Sequence, residues 1–288
     1  MLISLLQTSP ELFISVITLV GLLVGSFLNV VIYRLPVMME REWQSQCDEL
    51  NGKETSSDSP PLTLSSPRSR CPHCNHAISA LENIPVLSYL ALKGKCKECK
   101  APISLRYPLI ELFTGFLSGI IAWKFGYGWA CGGALFLTWA LIALSFIDVD
   151  HQLLPDSITL PLLWLGIVFN LFATYTDLQS SVIGAMAGYL SLWLVFHGFK
   201  LATGKEGMGY GDFKLLAALG AWLGWILLPS IILLSSLVGA IIGISLILLR
   251  QHQRDIPIPF GPYLAAAGWL ALVWGHEINN SYLTWVAG

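Results

Sequence analysis

Residues 129–156 read WACGGALFLTWALIALSFIDVDHQLLPD, an uncharged apolar run followed by the carboxylates of Asp148, Asp150 and Asp156. The apolar part, Trp129–Ile147, is long enough to cross the ~30 Å hydrocarbon layer of a membrane as a helix. A carboxylate at the edge of that layer is costly to keep charged, so it is a candidate functional group. This stretch therefore predicts a membrane helix that ends in a functional site.

The rest of the chain has the same character. Of its 288 residues, 55% are hydrophobic and 12% are charged, whereas soluble domains carry about 25% charged residues. The pattern predicts an all-α polytopic membrane protein with about eight transmembrane helices and the lipid bilayer as its surroundings. The apolar runs are Leu12–Tyr33, Tyr107–Trp123, Trp129–Ile147, Ser157–Tyr175, Ser181–Phe199, Phe213–Leu228, Ile231–Leu249 and Phe260–Trp274.

The distribution of positive charge predicts the orientation. All Lys and Arg residues except Lys124 lie in Arg34–Arg106, Lys200–Lys214 or Arg250–Arg254. Because basic residues collect on the cytoplasmic side of a membrane, we expect the N-terminus to be outside and the Asp148–Asp156 turn to be inside. The formal net charge of −2 gives no sign of nucleic-acid binding, and no nucleic-acid partner is predicted.

Three segments follow from this topology: a first transmembrane helix (1–33), a cytoplasmic insert (34–106) and a multi-helix membrane core (107–288). Within the insert, Met38–Pro67 is rich in Ser, Glu, Asp and Pro and lacks hydrophobic periodicity. We expect it to form a mobile excursion of variable sequence.

The insert also contains two CxxC pairs, Cys71–Cys74 and Cys96–Cys99. Two such turns supply four thiolates for a tetrahedral, structural Zn²⁺ site, and a closed set leaves no position for a catalytic water. A redox or disulfide pair is the alternative, disfavoured by the cytoplasmic location. His73 and His76 are possible competing ligands. Cys47 is read as a loop thiol and Cys131 as membrane packing.

A second acidic motif, Gly207-Met-Gly-Tyr-Gly-Asp-Phe-Lys214, stands where the sixth apolar run begins. The topology brings Asp148 and Asp212 to the same membrane face, one at a helix end and one at a helix start. Two close carboxylates share one proton, so one can activate a water while the other donates to a peptide carbonyl. This chemistry is peptide hydrolysis without a metal or a nucleophilic side chain.

Simpler interpretations remain for each carboxylate. Asp156 follows Pro155 and is suited to cap the next helix, and Asp150 is suited to a solvated loop. Asp212 is also suited to a helix cap beside Lys214, although the glycines before it allow a close approach of substrate. The Gly-rich loop lies between membrane helices, which argues against a dinucleotide-binding fold, and no serine-hydrolase or zincin motif is present.

The chain resembles the type IV prepilin peptidases, a bacterial branch of the GxGD membrane aspartyl proteases. The resemblance is carried in order by GSFLNVVIYRLP (25–36), the four cysteines, ENIPVLSY (82–89), SLRYPLIE (104–111) and both acidic motifs.

The resemblance implies that Asp148 and Asp212 are the catalytic pair. It implies cleavage of a short basic leader from prepilins and from type II secretion pseudopilins, at the cytoplasmic face of the bacterial inner membrane. It further implies N-methylation of the new N-terminus from S-adenosylmethionine, which would link the chain to type IV pilus biogenesis and type II secretion. Candidate neighbours of the methyl donor are Glu82, Asn83, Arg106 and Glu111.

Two other classes of function compete with an enzyme. A proton-coupled transporter would place its carboxylates near the bilayer midplane within repeated halves, and no repeat is visible. A membrane-anchored zinc module that only recruits partners would not need Asp148 or Asp212. Asn29, in the first span, is expected to form an interhelical hydrogen bond.

Overall fold

The structure, a computed structural model, describes residues 2–52, 62–249 and 259–287. The residues it describes form ten α-helices and no β-strand beyond two isolated bridges. The helices are α1 (Leu2–Thr8), α2 (Pro10–Leu50), α3 (Leu87–Ala91), α4 (Arg106–Phe125), α5 (Trp129–His151), α6 (Asp156–Asn170), α7 (Leu178–Thr203), α8 (Tyr210–Leu223), α9 (Leu228–Leu249) and α10 (Gly261–Ala287).

The prediction of an all-α, multi-pass membrane protein is confirmed. Within the described residues, five helical segments are long and apolar enough to cross a membrane, and α6 is a shorter apolar helix. The count of eight spans stays a prediction. The five segments are Pro10–Leu50, Arg106–Phe125, Trp129–His151, Leu178–Thr203 and Trp225–Ser245.

The chain divides into two compact units, Met1–Tyr127 and Gly128–Gly288. In the first unit, α2 packs against α4 along a row of small residues. A Cβ on Gly25 would lie 2.7 Å from the Cα of Glu111, so the two helices approach too closely there for any side chain. Asn29 Nδ2 donates to the Tyr107 carbonyl oxygen at 3.2 Å, which confirms the expected interhelical hydrogen bond.

Helix α2 does not end where its apolar run ends. It continues as an exposed polar helix to Leu50, so the expectation of a mobile excursion is wrong for Met38–Leu50. Cys47 accordingly lies on an exposed helix and not in a loop. Continuation of an established helix costs no new nucleation, which is why a segment without apolar periodicity remains helical. Residues 53–61 of the excursion lie outside the described residues.

In the second unit, α8 is the central helix and packs against α6, α7 and α10. From Phe213 to Leu223 it is buried except at Lys214, as expected of a helix that is apolar all round. A Cβ on Gly184 of α7 would collide with the carbonyl oxygen of Gly220, so backbone meets backbone there. On the other side, Trp222 Nε1 donates to the Leu162 carbonyl oxygen of α6 at 2.8 Å.

Helices α5 and α10 complete this unit. Trp269 Nε1 of α10 donates to Thr138 Oγ1 of α5 at 3.1 Å, within a buried environment. This packing brings the C-terminal end of α5, the N-terminal end of α8 and the N-terminal end of α10 to one place. The two predicted acidic motifs occupy the first two of those ends.

Candidate active site and cysteine centre

Asp148 lies in the last turn of α5 and is only 5% exposed. The helix ends at His151, and the next residue, Gln152, adopts a left-handed conformation and donates its N–H to the Asp148 carbonyl oxygen at 2.8 Å. The carboxylate oxygen Oδ2 accepts the backbone N–H of Gly261 at 3.0 Å. Because Gly261 is the first residue of α10, the carboxylate faces the positive end of a helix dipole.

Asp212 lies in the first turn of α8 and is 6% exposed. The N-cap of that helix is Gly209, and no side chain caps it, so the helix-cap interpretation of Asp212 is wrong. Its carboxylate oxygen Oδ1 is buried and has no hydrogen-bond partner among the described residues. A buried oxygen without a partner is costly, which marks it as a group available to a ligand or a proton.

The structure brings the two predicted aspartates together, since their carboxylates interact electrostatically. Leu154, which is 7% exposed, lies beside the start of α8, which carries Asp212, and beside the start of α10, which bonds to Asp148. A Cβ on Gly211 would be 2.7 Å from Leu154 Cβ, and one on Gly261 would be 3.1 Å from Leu154 Cδ2. Neither Gly261 nor Leu154 was singled out from the sequence, although the Gly-Pro pair 261–262 at the start of an apolar run is typical of a helix start.

The other two carboxylates of the first motif have different surroundings. Asp150 is exposed. Asp156 begins α6 but does not cap it; both of its oxygens accept hydrogen bonds from Lys214 Nζ at 2.7 Å. The capping interpretation of Asp156 is therefore wrong, because a cation on α8 is close enough to take its side chain.

An aromatic cluster supports the Gly-rich loop beside Asp212. The rings of Phe196, Tyr210 and Phe213 lie 5.3–5.6 Å apart, centroid to centroid. Gly207 lies against Phe199, where an added Cβ would be 3.0 Å from the ring. These contacts fix the loop between α7 and α8, and with it the first turn that carries Asp212.

Two buried, interacting carboxylates on two helix ends, beside the start of a third helix, can do general acid–base chemistry. One carboxylate can accept a proton from water while a protonated partner donates one to a carbonyl oxygen. Enclosure by the membrane helices strengthens these interactions because it lowers the local dielectric constant.

The first unit contains a separate candidate site built from two cysteine loops, 71–76 and 96–101. In each loop the N–H of the first cysteine donates to a carbonyl five residues later, at 2.9 Å and 2.8 Å. The residue after the second cysteine of each loop has a positive φ, 58° in the first and 59° in the second. The two loops therefore have the same form and present their sulfurs in the same way.

The four predicted cysteines converge. Their Sγ atoms all lie within 4.8 Å of one another. The Sγ atoms of Cys71 and Cys99 are 3.7 Å apart, and those of Cys74 and Cys96 are 3.9 Å apart. A disulfide would bring two sulfurs to ~2.05 Å, whereas tetrahedral Zn–S bonds of ~2.3 Å place sulfurs roughly 3.8 Å apart. The geometry excludes disulfides in this state and fits a metal.

Electrostatics also favour a cation at this centre. The backbone N–H groups of Cys74 and His73 lower the pKa of Cys71 to about 6. At Cys74 the N–H of His76 acts in the same direction, but desolvation and the other three sulfurs outweigh it and raise the pKa of Cys74 to about 12. Four sulfurs in contact cannot all ionise unless a cation compensates their charge, and a divalent metal ion bound by the four cysteines would do so.

Glu82 holds the two cysteine loops together. Its Oε2 accepts hydrogen bonds from the N–H and the hydroxyl of Ser79, both at 2.9 Å, and lies 3.3 Å from Nε2 of His76. Its Oε1 lies 3.5 Å from Nζ of Lys97 in the second loop. The N–H of Ser79 is the largest cause that lowers the pKa of Glu82 to about 2. His76 is thereby directed toward a carboxylate and is not among the clustered ligands.

Two buried polar residues of the membrane helices attach this cysteine module to the first unit. Arg34 of α2 donates to the carbonyl oxygens of Thr63 at 2.9 Å and Pro67 at 2.7 Å. Glu111 of α4 accepts the N–H of Val86 at 2.8 Å. Val86 has φ 62°, a strained conformation for a β-branched residue, so this hydrogen bond offsets a local cost.

Comparison with known proteins gives matches over most of the chain. Residues 19–125 match the family described as Bacterial Peptidase A24 N-terminal domain, and residues 135–244 match the Type IV leader peptidase family. The first match contains the cysteine module, and the second contains both Asp148 and Asp212.

Full-length relatives carry the same printed name, prepilin leader peptidase/N-methyltransferase. The protein from Aeromonas hydrophila is 60% identical over 285 residues, covering 99% of this chain and 98% of the relative. That from Pseudomonas aeruginosa is 57% identical and covers 98% and 97%. That from Neisseria gonorrhoeae is 51% identical and covers 92% of each. No solved structure shows a significant match to the chain.

Proposed function

The chain belongs to the type IV leader peptidase family, and we propose that it is a bifunctional membrane enzyme that cleaves the leader of type IV prepilins and then N-methylates the new N-terminus. The peptidase activity is supported by the proximity of Asp148 and Asp212, two buried and interacting carboxylates on separate helix ends. Their placement at helix ends also favours an enzyme over a proton relay at the bilayer midplane.

Asp148 and Asp212 are the proposed catalytic pair. Water attacks the carbonyl carbon of the scissile peptide as one aspartate removes its proton and the other protonates the carbonyl oxygen. The tetrahedral intermediate then breaks its C–N bond, and the leaving amine takes up a proton. No covalent enzyme intermediate forms, and the mature pilin leaves with a free amine.

Methylation follows at that amine. The neutral nitrogen attacks the methyl carbon of S-adenosylmethionine, the C–S bond breaks to leave a thioether, and the nitrogen loses a proton. Of the four residues expected near the donor, Glu82 is bonded within the cysteine module and Glu111 to Val86. Asn83 and Arg106 are exposed, and the proposal of a donor site on this module rests on the family resemblance.

Zinc is the metal proposed for Cys71, Cys74, Cys96 and Cys99. The four sulfurs form a closed set, which suits a structural ion that stabilises the module. This leaves the carboxylates as the hydrolytic groups. The chemistry that zinc supplies when bound is charge compensation and cross-linking of the two cysteine loops.

Location and substrate range are also proposed. The family resemblance supports a location in the bacterial inner membrane. The placement of Lys and Arg supports an N-terminus on the periplasmic side and an active site that faces the cytoplasm. Type II secretion pseudopilin precursors are proposed as further substrates, on the family resemblance.

Incubation of the purified chain with a prepilin and S-adenosylmethionine in detergent tests the function. Mass spectrometry is expected to show loss of the leader and gain of one methyl group on the mature product. An intact precursor, with the enzyme still folded, would contradict the peptidase. Cleavage without methyl transfer would remove only the second activity.

A further inference from the structure

The two aspartates have different surroundings, although the proposed reaction needs one of them charged and the other protonated. We propose that Gly261, the first residue of α10, is a positioning residue that holds Asp148 as the ionised base and so leaves the shared proton on Asp212. This inference rests on the proposed function and assigns roles within its catalytic pair.

The backbone of Gly261 favours the charged form of Asp148. The N–H of Gly261 donates to Asp148 Oδ2 at 3.0 Å in a buried environment. The first N–H groups of a helix have no partner within the helix and lie at the positive end of its dipole. A donor there favours the carboxylate over the carboxylic acid, and the backbone cannot turn the donor away.

The hydrogen bond to Asp148 also requires that residue 261 has no side chain. A Cβ at this position would lie 2.6 Å from Asp148 Oδ2 and 3.2 Å from its Cγ. It would also lie 3.1 Å from Leu154 Cδ2. A side chain would therefore displace the carboxylate from the N–H, so glycine is required for the hydrogen bond and not for backbone conformation.

Asp212 has the opposite surroundings. Its Oδ1 is buried without a hydrogen-bond partner among the described residues. Lys214, two residues later, donates to both oxygens of Asp156, so its charge is already paired with another carboxylate. With the charge of Asp148 nearby, the protonated form of Asp212 is the one that the site accommodates at the lower cost.

The role of each carboxylate in the reaction follows. Ionised Asp148 removes a proton from the attacking water as its oxygen bonds to the peptide carbon. Protonated Asp212 gives its proton to the carbonyl oxygen. Breakdown of the intermediate returns the proton of that hydroxyl to Asp212 and moves the proton of Asp148 to the leaving amine, so both residues end as they began.

Removal of the N–H without added atoms tests the proposal. Cell-free translation of the full chain with glycolic acid at position 261 replaces the amide by an ester, which lacks the donor and adds no clash. We expect kcat for prepilin cleavage to fall by about tenfold or more, the size expected for a lost hydrogen bond to a charged group, with KM unchanged. Gly261→Ala is expected to lose more, because it adds the clash.

Gly132→Ala is the matched control, since Gly132 lies on the same helix as Asp148 and a Cβ there meets nothing within 4 Å. It is expected to keep wild-type kcat and KM. Wild-type kcat in the ester variant would overturn the role of Gly261 and leave the peptidase intact. A wild-type enzyme that does not cleave prepilin would instead overturn the proposed function itself. A fall confined to the melting temperature, with kcat unchanged, would mean that Gly261 is structural.

Discussion

Lys214 Nζ lies 2.7 Å from both carboxylate oxygens of Asp156, and this ion pair joins the first turn of α8 to the first turn of α6. Lys214 is two residues from Asp212 and is the one residue of Phe213–Leu223 in α8 that is not buried. The pair therefore connects the start of the helix that carries one proposed catalytic carboxylate to the motif that carries the other, at a partly exposed position.

Exchange of the two charges tests that connection. Asp156→Asn and Lys214→Gln are each expected to lower kcat by less than about tenfold, and to lower the free energy of unfolding by less than about 1 kcal/mol because the pair is exposed. The double variant Asp156→Lys/Lys214→Asp is expected to recover much of the lost kcat. Additive losses in the double variant would show that the two residues act independently.

The contact between Gly184 and Gly220 predicts a large steric effect. Gly184→Ala places a Cβ against the Gly220 carbonyl oxygen, and we expect a loss of about 1–3 kcal/mol, read as a lower melting temperature in detergent. Gly198→Ala, on the same helix with nothing within 4 Å of its Cβ, is the control and is expected to be neutral or slightly stabilising. Equal effects at the two positions would contradict the close packing of α7 on α8.

The cysteine centre predicts one zinc ion per chain. Metal analysis of protein purified without chelators is expected to give a zinc-to-protein ratio near one, and Cys71→Ser is expected to lose the metal because three thiolates leave the site open. Cys47→Ser is the control, since Cys47 is exposed on α2 and away from the cluster. A zinc-free wild type would refute the metal site.

The low pKa of Glu82 predicts that its contribution to the stability of the cysteine module does not change with pH near neutrality. Its folded-state pKa of about 2 lies below the ordinary value of 4.5, so its stabilising effect is present above pH 4.5 and is lost as pH falls toward 2. We expect Glu82→Gln to speed the transfer of zinc to a chelator at pH 7, and the difference from wild type to persist at pH 5. A difference that vanishes at pH 5 would assign the effect to another titrating group.

The pattern of apolar runs was enough to predict the helices of the membrane core, because each run must satisfy its backbone within one helix. The ends carrying Asp148 and Asp212 were also predictable, since a carboxylate beside an apolar run marks where the run must stop. The spacing of Cys71, Cys74, Cys96 and Cys99 predicted the cluster that the structure shows.

Contacts between distant segments were not predictable. The helix through Met38–Leu50 follows from continuation of α2, which local composition does not reveal. The side chain of Asp156 looked like a cap because the sequence does not show that Lys214 comes within reach. Gly261 was missed because its role depends on a close approach to Asp148, 113 residues away in the chain.

The most direct measurement is leader cleavage of a purified prepilin in detergent by wild type and by Asp148→Asn, Asp150→Asn, Asp156→Asn and Asp212→Asn. We expect losses of about 10²–10⁴-fold or more in kcat for the Asp148 and Asp212 variants, the contribution typical of general acid–base groups. The Asp150 and Asp156 variants are expected to stay within about tenfold of the wild-type kcat. Full cleavage by Asp212→Asn, or a loss at Asp150 with Asp148→Asn active, would contradict the catalytic pair.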